Sequence, residues 1–130
     1  MATLTANDFK ASGLEAIRMF NFGSPRIGND EFAEWTSDYI ADHNRVTHHR
    51  DIVVHLPNHR RFAHITHEWY EDENHEIHAC EGAADPNCAN QFFFTNVRDH
   101  MEYLTLHVGC AAVTNTTAEV QLKADRIRQL

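Results

Sequence analysis

Hydrophobic residues in the first part of this chain recur at helical spacing and then form a short continuous run. The spacing over residues 1–13 predicts a helix, and Gly13 is placed to end it. The next apolar run covers residues 17–22 and stops at Gly23, which is typical of a buried strand. We therefore expect a helix and then a strand within the first 23 residues.

A second helix is predicted after a turn. Residues 24–29 contain the proline and glycine that mark such a turn. Either Asn29 or Asp30 is the predicted cap of the helix, which continues to about Asp42. Its predicted apolar face, the expected packing surface, consists of Phe32, Trp35, Tyr39 and Ile40.

The strand patterns after this helix are short. Residues 45–48 form a strand candidate, and Asp51 lies in the loop just beyond it. Residues 64–70 and 75–79 are rich in residues that favour strands. A loop rich in glycine, aspartate, proline and asparagine follows, and His100 falls near the start of a short helix.

The alternation of helices and strands predicts an α/β fold with parallel strand pairing in its first half. Residues 114–130 have capping-box spacing at Thr116 and Glu119 and then an apolar stripe, which predicts an amphipathic helix. We expect one domain, or part of one, over residues 1–110. Residues 111–130 are expected to form an appended amphipathic helix or tail.

Composition and charge narrow the possible partners. With 130 residues the chain is at most one domain, and its 42% hydrophobic residues can supply a core. A formal net charge of −8 argues against nucleic acid as a partner, because phosphate binding requires clustered lysine and arginine. No apolar run approaches the ~20 residues of a membrane span. Polar residues interrupt the first ten positions, so a secretion signal would have to lie upstream of Met1.

The serines of this chain do not fit a nucleophile elbow. That sharp strand-to-helix turn requires small residues two positions before and two positions after the serine. Large side chains occupy both positions around each of the three serines: Ser12, Ser24 and Ser37. The cysteines also lack the small flanking pair: Cys80, Cys88 and Cys110.

Four short motifs occur in order along residues 1–110. They are Phe22-Gly23-Ser24-Pro25-Arg26-Ile27-Gly28-Asn29, Asp51-Ile52-Val53-Val54-His55-Leu56-Pro57, His67-Glu68-Trp69-Tyr70 and Asp99-His100-Met101-Glu102-Tyr103-Leu104. Together they resemble the motifs of the class 3 lipases, the fungal-type triacylglycerol lipase family of α/β-hydrolases. Any one of them alone is a weak signal, whereas four in the family's order are specific.

The resemblance implies a fold, a reaction and two site residues. The fold would be the C-terminal part of an α/β-hydrolase, a mostly parallel sheet flanked by helices. The reaction would be hydrolysis of lipid esters, acylglycerols in particular, through an acyl-enzyme. On this match Asp51 is the catalytic acid and His100 is the general base. No metal and no organic cofactor are implied.

The resemblance also implies where the nucleophile would be. The family's serine lies in Gly-His-Ser-Leu-Gly-Gly-Ala, and residues 1–13 resemble the helix that continues from this motif. The serine would then lie a few residues before Met1, together with the oxyanion hole and the lid. We expect the 130 residues alone to be inactive. The alternative is a non-catalytic hydrolase relic that binds a partner or lipid.

Asp51 competes with two other aspartates for the role of the acid. Asp30 is placed to act in a helix cap. Asp99 is adjacent to His100 in sequence, which is a poor geometry for orienting the neighbouring imidazole. Arg26 and Asn29, in the turn motif, are expected to be structural.

The cysteines predict a disulfide. Cys80 and Cys88 bracket a short loop that a local disulfide would close. Cys110 is then unpaired, and its expected partner lies in the missing N-terminal part. Disulfides form in oxidising compartments, so this pattern favours a secreted or lumenal protein. Three reduced cysteines in a cytosolic protein are the alternative.

Eleven histidines raise the question of a metal site. His64 with His67, and His75 with His78, are spaced three apart, and on strands such pairs point to opposite faces. We therefore expect polar surface histidines and no metal, with a histidine-rich metal-binding module as the weaker alternative.

Overall fold

The computed structural model describes residues 1–107 and Asp125. Its main elements, in chain order, are α1 (Ala2–Ala11), β1 (Arg18–Phe22), α2 (Asp30–Tyr39), β2 (Asp42–His48), β3 (Glu68–Glu71), β4 (Ile77–Ala79), β5 (Glu102–Tyr103) and β6 (Leu106–His107). Three single 3-10 turns occur at Val53–His55, Ala89–Gln91 and Asp99–Met101. The predicted order of helices and strands is confirmed as far as β4. The short helix predicted at His100 is a single 3-10 turn, and the strands β5 and β6 after it were not predicted.

The main sheet has four strands in the order β1-β2-β3-β4. β1 pairs with β2 and β2 pairs with β3 in parallel, whereas β4 runs antiparallel to β3. The α/β fold and the parallel pairing in the first half are thus confirmed. β5 and β6 form a separate two-stranded antiparallel sheet.

Three predicted boundaries were too wide. α2 ends at Tyr39 because Ile40 leaves the helical conformation, and Asp42 already belongs to β2. β3 begins only at Glu68 because His67 has a φ of 53°, in the left-handed region that a strand does not use. His75 has a φ of 63° in the turn before β4.

The packing face of α2 differs from the predicted one. Ala33 and Thr36 are buried, whereas Trp35 is 47% exposed. Trp35 stacks on Tyr39 with ring centroids 4.8 Å apart. Ala33 and Thr36 therefore face inward, together with Ile40, which is buried as predicted. Tyr39 is partly buried against the cluster that contains Ile40, so the prediction of the packing face is wrong mainly for Trp35.

Two buried clusters hold the described residues together. The first joins α1, β1 and the end of α2, and consists of Ala6, Met19, Ile40 and Ile65. The second lies around β3 and the loop after β4, and consists of Val54, Tyr70, Cys88 and Ala89. The disulfide between Cys80 and Cys88 closes this loop, as predicted.

Several predictions fall on residues 108–124 and 126–130, which lie outside the described part. These are the amphipathic helix over 111–130, the boundary at residue 110 and the unpaired Cys110. Each stays a prediction. Among the described residues, no helix combines the length and the apolar character needed to cross a membrane.

Candidate active site

Asp51 and His100 lie in direct contact although 49 residues separate them. Asp51 follows the end of β2, where its amide donates to the carbonyl of His48 at 2.9 Å, and its side chain is fully buried. His100 lies in the 3-10 turn before β5 and remains about one-third exposed. His100 Nδ1 donates to Asp51 Oδ2 at 2.9 Å.

The carboxylate of Asp51 is held by two further donors. The Val53 amide donates to Oδ1 at 2.7 Å, and the Tyr103 hydroxyl donates to Oδ2 at 2.5 Å. Burial and the neighbouring Asp51 charge raise the pKa of Tyr103 well above its usual value, so its hydroxyl keeps the proton that it donates. With the Nδ1 proton facing Asp51, the neutral imidazole of His100 presents an unprotonated Nε2. That atom can accept a proton.

Tyr103 is a site residue to which sequence reasoning assigned no contact. Its spacing of three residues after His100, in the last of the four motifs, was the available signal. The 3-10 turn at Asp99–Met101 leads directly into β5, which carries Tyr103. One short segment therefore supplies both the imidazole and the hydroxyl that contact Asp51.

The backbone of Gly23 lies directly against the side chains of Asp51 and His100. Its amide donates to the carbonyl of Val46 at 3.0 Å, and its φ is +59°. A Cβ atom at this position would lie 2.8 Å from Asp51 Oδ2 and 2.8 Å from His100 Nδ1. Glycine is thus required here both by backbone conformation and by the close approach of the two side chains.

For the ester hydrolysis that the resemblance implies, we expect Gly23→Ala in the full-length protein to lower kcat by about 100-fold, because displacing a catalytic group by about 1 Å has that scale of effect. Gly82→Ala is the matched control, since Gly82 also has a positive φ, +74°, but nothing lies within 4 Å of its added Cβ. Initial rates on a soluble ester measure the difference. Equal losses in both variants would assign the effect to backbone strain and contradict the steric argument.

The loops that carry Asp51 and His100 are joined to each other. The Ile52 amide donates to the Asn96 carbonyl at 3.1 Å, and the Asn96 amide donates to the Arg50 carbonyl at 2.8 Å. Asp99 accepts hydrogen bonds from the Arg50 amide at 3.0 Å and from His49 Nδ1 at 3.1 Å. Burial opposes ionisation of Asp99, but the hydrogen-bond donors outweigh it and the pKa of Asp99 is lowered. Asp99 therefore braces the two loops.

The turn motif after β1 makes structural contacts, as expected. Arg26 donates from Nη1 to the carbonyls of His55 at 2.6 Å and Pro57 at 2.8 Å. Burial lowers the pKa of Arg26. Asn29 caps α2, because its Oδ1 accepts the Phe32 amide at 3.0 Å. Arg26 thus holds the loop after Asp51 against the turn.

Each serine hydroxyl donates to a nearby backbone carbonyl. Ser12 contacts Phe9, Ser24 contacts Pro25 and Ser37 contacts Ala33. In the part of the chain that the structure describes, no hydroxyl is hydrogen-bonded to Nε2 of His100. The predicted acid, Asp51, and the predicted base, His100, are therefore paired, and no serine hydroxyl of the described residues is hydrogen-bonded to them.

The expectation that the histidines are polar surface residues is wrong for several of them. His43 is buried and stacks on His67 with centroids 4.5 Å apart. Burial lowers the pKa of His64 to about 2, and its Nε2 lies 2.7 Å from the Val54 carbonyl. His48 is also buried. The spacing of histidines in the sequence does not show which of them are buried, because their hydrogen-bond partners come from distant parts of the chain.

Exposed apolar side chains lie on the segment that leads to His100. Phe93 is 92% exposed and Phe94 is 79% exposed, and their rings meet edge to face at 5.4 Å. Val97 and Met101 are also exposed. The two rings thus form an exposed apolar pair in the segment before His100.

The mostly parallel sheet, with an aspartate after β2 that is hydrogen-bonded to a histidine of a later loop, has the arrangement of an α/β-hydrolase fold. The family described as Lipase (class 3) matches residues 1–61. The chain belongs to the class 3 lipase family.

Individual relatives are consistent with this family. Lipase II from Rhizopus niveus superposes with a TM-score of 0.74 at 27% identity, over 83% of this chain and 44% of that chain. A triacylglycerol lipase whose catalytic centre is described as a serine protease triad superposes with a TM-score of 0.74 at 29% identity, over 82% of this chain and 44% of that chain. A secreted mono- and diacylglycerol lipase 1 from Fusarium solani is 28% identical over 122 residues, which are 87% of this chain and 36% of that protein. The chain spans between 25% and 36% of the length of the curated relatives it matches.

Proposed function

We propose that this chain supplies the catalytic acid, Asp51, and the general base, His100, of a serine hydrolase that cleaves lipid esters of the acylglycerol class. The observation that carries the proposal is the hydrogen bond from His100 Nδ1 to Asp51 Oδ2 at 2.9 Å. It leaves Nε2 as the proton acceptor. The names of the relatives, triacylglycerol lipase and mono- and diacylglycerol lipase, support the substrate class.

In the proposed reaction, His100 Nε2 takes the proton of a serine hydroxyl while the serine oxygen attacks the ester carbonyl carbon. The tetrahedral intermediate then expels the alcohol, which receives that proton from His100, and an acyl-enzyme remains. Water repeats the sequence and releases the fatty acid. Asp51 keeps the Nδ1 proton in place and stabilises the imidazolium that forms. This chemistry requires no metal and no cofactor.

The serine itself is proposed to come from outside these 130 residues. The flanks of Ser12, Ser24 and Ser37 are too large for an elbow, and their hydroxyls bond to local carbonyls. The greater length of the relatives leaves room for such a residue. A secreted or lumenal location is proposed on the disulfide and on the Fusarium solani relative, which is named as secreted.

A lipid substrate is favoured over a small polar ester by the surface beside His100. Phe93 and Phe94 project from the loop that leads to this histidine and expose most of their rings. Removing such rings from water contributes favourably to the binding of an apolar substrate. The net charge of −8 disfavours strongly anionic substrates.

The test uses the protein at the full length that its gene encodes, with a fluorophosphonate probe and an emulsified diacylglycerol as substrates. We expect probe labelling and fatty-acid release, both reduced by at least about 10³-fold in His100→Gln because the general base is lost. His59→Gln is the matched control, since His59 is an exposed loop residue, and it should keep both activities.

Three outcomes would contradict the proposal. Absence of labelling in the full-length protein would favour the non-catalytic relic. Labelling that does not depend on His100 would place the base elsewhere. Clear labelling of the 130-residue chain by itself would overturn the assignment of the nucleophile to an outside residue.

A further inference from the structure

Glu71, the last residue of β3, carries a carboxylate with no accessible surface. Its Oε2 accepts the Leu104 amide at 2.8 Å, and its Oε1 lies 2.8 Å from His75 Nδ1. Among the described residues its only ion-pair partner is this histidine, with no lysine or arginine in range. The other buried carboxylate of β3, Glu68, is paired with Arg45. Among the described residues, Glu71 is thus a fully buried carboxyl group whose ion-pair partner is an imidazole rather than a lysine or an arginine.

A second histidine faces Glu71 from the neighbouring strand. His48 ends β2 and is the register partner of Glu71 in the parallel ladder. Its ring is buried and stacks on His75 with centroids 5.5 Å apart. Its Nδ1 lies 3.0 Å from the Asp99 carbonyl, which can only accept, so the proton is on Nδ1 and Nε2 has a free lone pair. Histidine ligands of metals are commonly fixed in this way by a backbone carbonyl.

We propose that His48, Glu71 and His75 bind one zinc ion. Each can offer one ligand atom, and the three atoms lie within 4.8 Å of one another. Two imidazole nitrogens and one carboxylate oxygen are a donor set that zinc accepts at about 2.0–2.2 Å. A divalent cation would also place positive charge beside this fully buried carboxyl group, which no lysine or arginine of the described residues contacts.

Two further residues that can bind a metal, Glu102 and His107, lie near His75. Glu102 Oε1 lies 3.8 Å from His75 Nε2, and Glu102 Oε2 lies 3.8 Å from His107 Nδ1. Glu102 is thus a neighbour of His75 and lies outside the group of three ligands. Hard cations such as Mg²⁺ prefer oxygen ligands throughout, so two imidazoles select against them.

The site would brace the segment that carries His100. Asp99 contacts His48 through its carbonyl, and Leu104 contacts Glu71 through its amide. A metal held by His48, Glu71 and His75 would therefore anchor both ends of residues 99–104 to the ends of β2 and β3. The role is structural, because the contact of the ligands with Asp51 is the backbone hydrogen bond from the Asp51 amide to the His48 carbonyl. The hydrogen bonds of the Asp51 and His100 side chains involve none of the three ligands.

The experiment titrates zinc into the metal-stripped full-length protein and measures stoichiometry by equilibrium dialysis and elemental analysis, together with the thermal unfolding midpoint. We expect one zinc per chain and a higher midpoint with zinc than with Mg²⁺. His75→Asn should weaken binding by at least about 100-fold, since losing even an outer-shell partner costs about 10–100-fold. Asparagine tolerates the positive φ of His75, so the turn is kept.

His78→Asn is the matched control. His78 lies in the same hairpin and belongs to a separate, more exposed group with Asp72 and Glu76. The His78→Asn variant should bind zinc with the same stoichiometry and affinity as the unaltered protein. Loss of binding in His78→Asn with retention in His75→Asn would assign zinc to that other group and overturn the proposal. Absence of stoichiometric zinc in the unaltered protein would also overturn it, whether or not the protein hydrolyses esters.

Discussion

Replacing Asp51 by asparagine should lower kcat for ester hydrolysis by about 10⁴-fold in the full-length protein, because the imidazole would lose its correct tautomer. The two oxygens of Asp51 accept three hydrogen bonds, from Val53, His100 and Tyr103. An amide has only one oxygen. If its nitrogen replaced Oδ2, it would donate to His100 Nδ1 and leave the proton on Nε2. If it replaced Oδ1, it would face the Val53 amide as a second donor.

Asp99→Asn is the control for this prediction. Asp99 is adjacent to His100 but contacts His49, Arg50 and Asn96. Its loss should lower stability modestly, by about 1–3 kcal/mol for broken charged hydrogen bonds, and leave kcat within about tenfold. Steady-state rates on a soluble ester, with circular dichroism to verify folding, measure both variants. A larger loss of kcat in Asp99→Asn than in Asp51→Asn would identify Asp99 as the acid.

The largest expected effect on stability comes from Arg45→Met, about 3–5 kcal/mol lower free energy of unfolding. Arg45 Nη2 lies 2.7 Å from Glu68 Oε2, and both side chains are almost completely buried. The same guanidinium donates to the carbonyls of Ile65 and Ala83. Methionine fills a similar volume but leaves the Glu68 carboxylate with the Thr47 hydroxyl as its remaining side-chain donor. An unpaired buried charge is the cause of the loss.

Arg18→Met is the matched control on the adjacent strand. Arg18 pairs with Asp42 at 3.0 Å, and both side chains are more than half exposed. An exposed pair of this kind contributes about 0–1 kcal/mol. Urea unfolding of the full-length protein compares the two variants. Equal losses in both, or no loss in Arg45→Met, would contradict the claim that burial decides the effect.

Much of the backbone was predictable because the signals are local. Gly13 and Gly23 both have positive φ, and Asn29 caps α2 with its own side chain. These features depend on residues within a few positions of each other, so the residue types are enough to predict them. The alternation of helix and strand then limits the pairing, since consecutive strands joined through a helix run parallel.

The errors in prediction arose where distant parts of the chain meet. Trp35 matches an apolar helical stripe, yet Ala33 and Thr36 face inward. Residues 64–67 have strand-like composition, yet His67 adopts a left-handed conformation and β3 starts after it. Periodicity indicates that a segment is amphipathic. Packing against the rest of the fold then decides which of its side chains are buried.

The sequence by itself determined the α/β class, the turn that begins at Gly23 and the two motifs that contain Asp51 and His100, because these features depend on the types and order of neighbouring residues. That Gly23 lies against Asp51 and His100 came only from the structure. Only the tertiary structure decided that Tyr103 is a partner of Asp51 and that His48 faces Glu71. Those contacts follow from strand register and loop closure across about 20–50 residues. The register of β2 against β3 places His48 opposite Glu71. The contact of Tyr103 with Asp51 depends instead on the return of residues 99–104 to the end of β2.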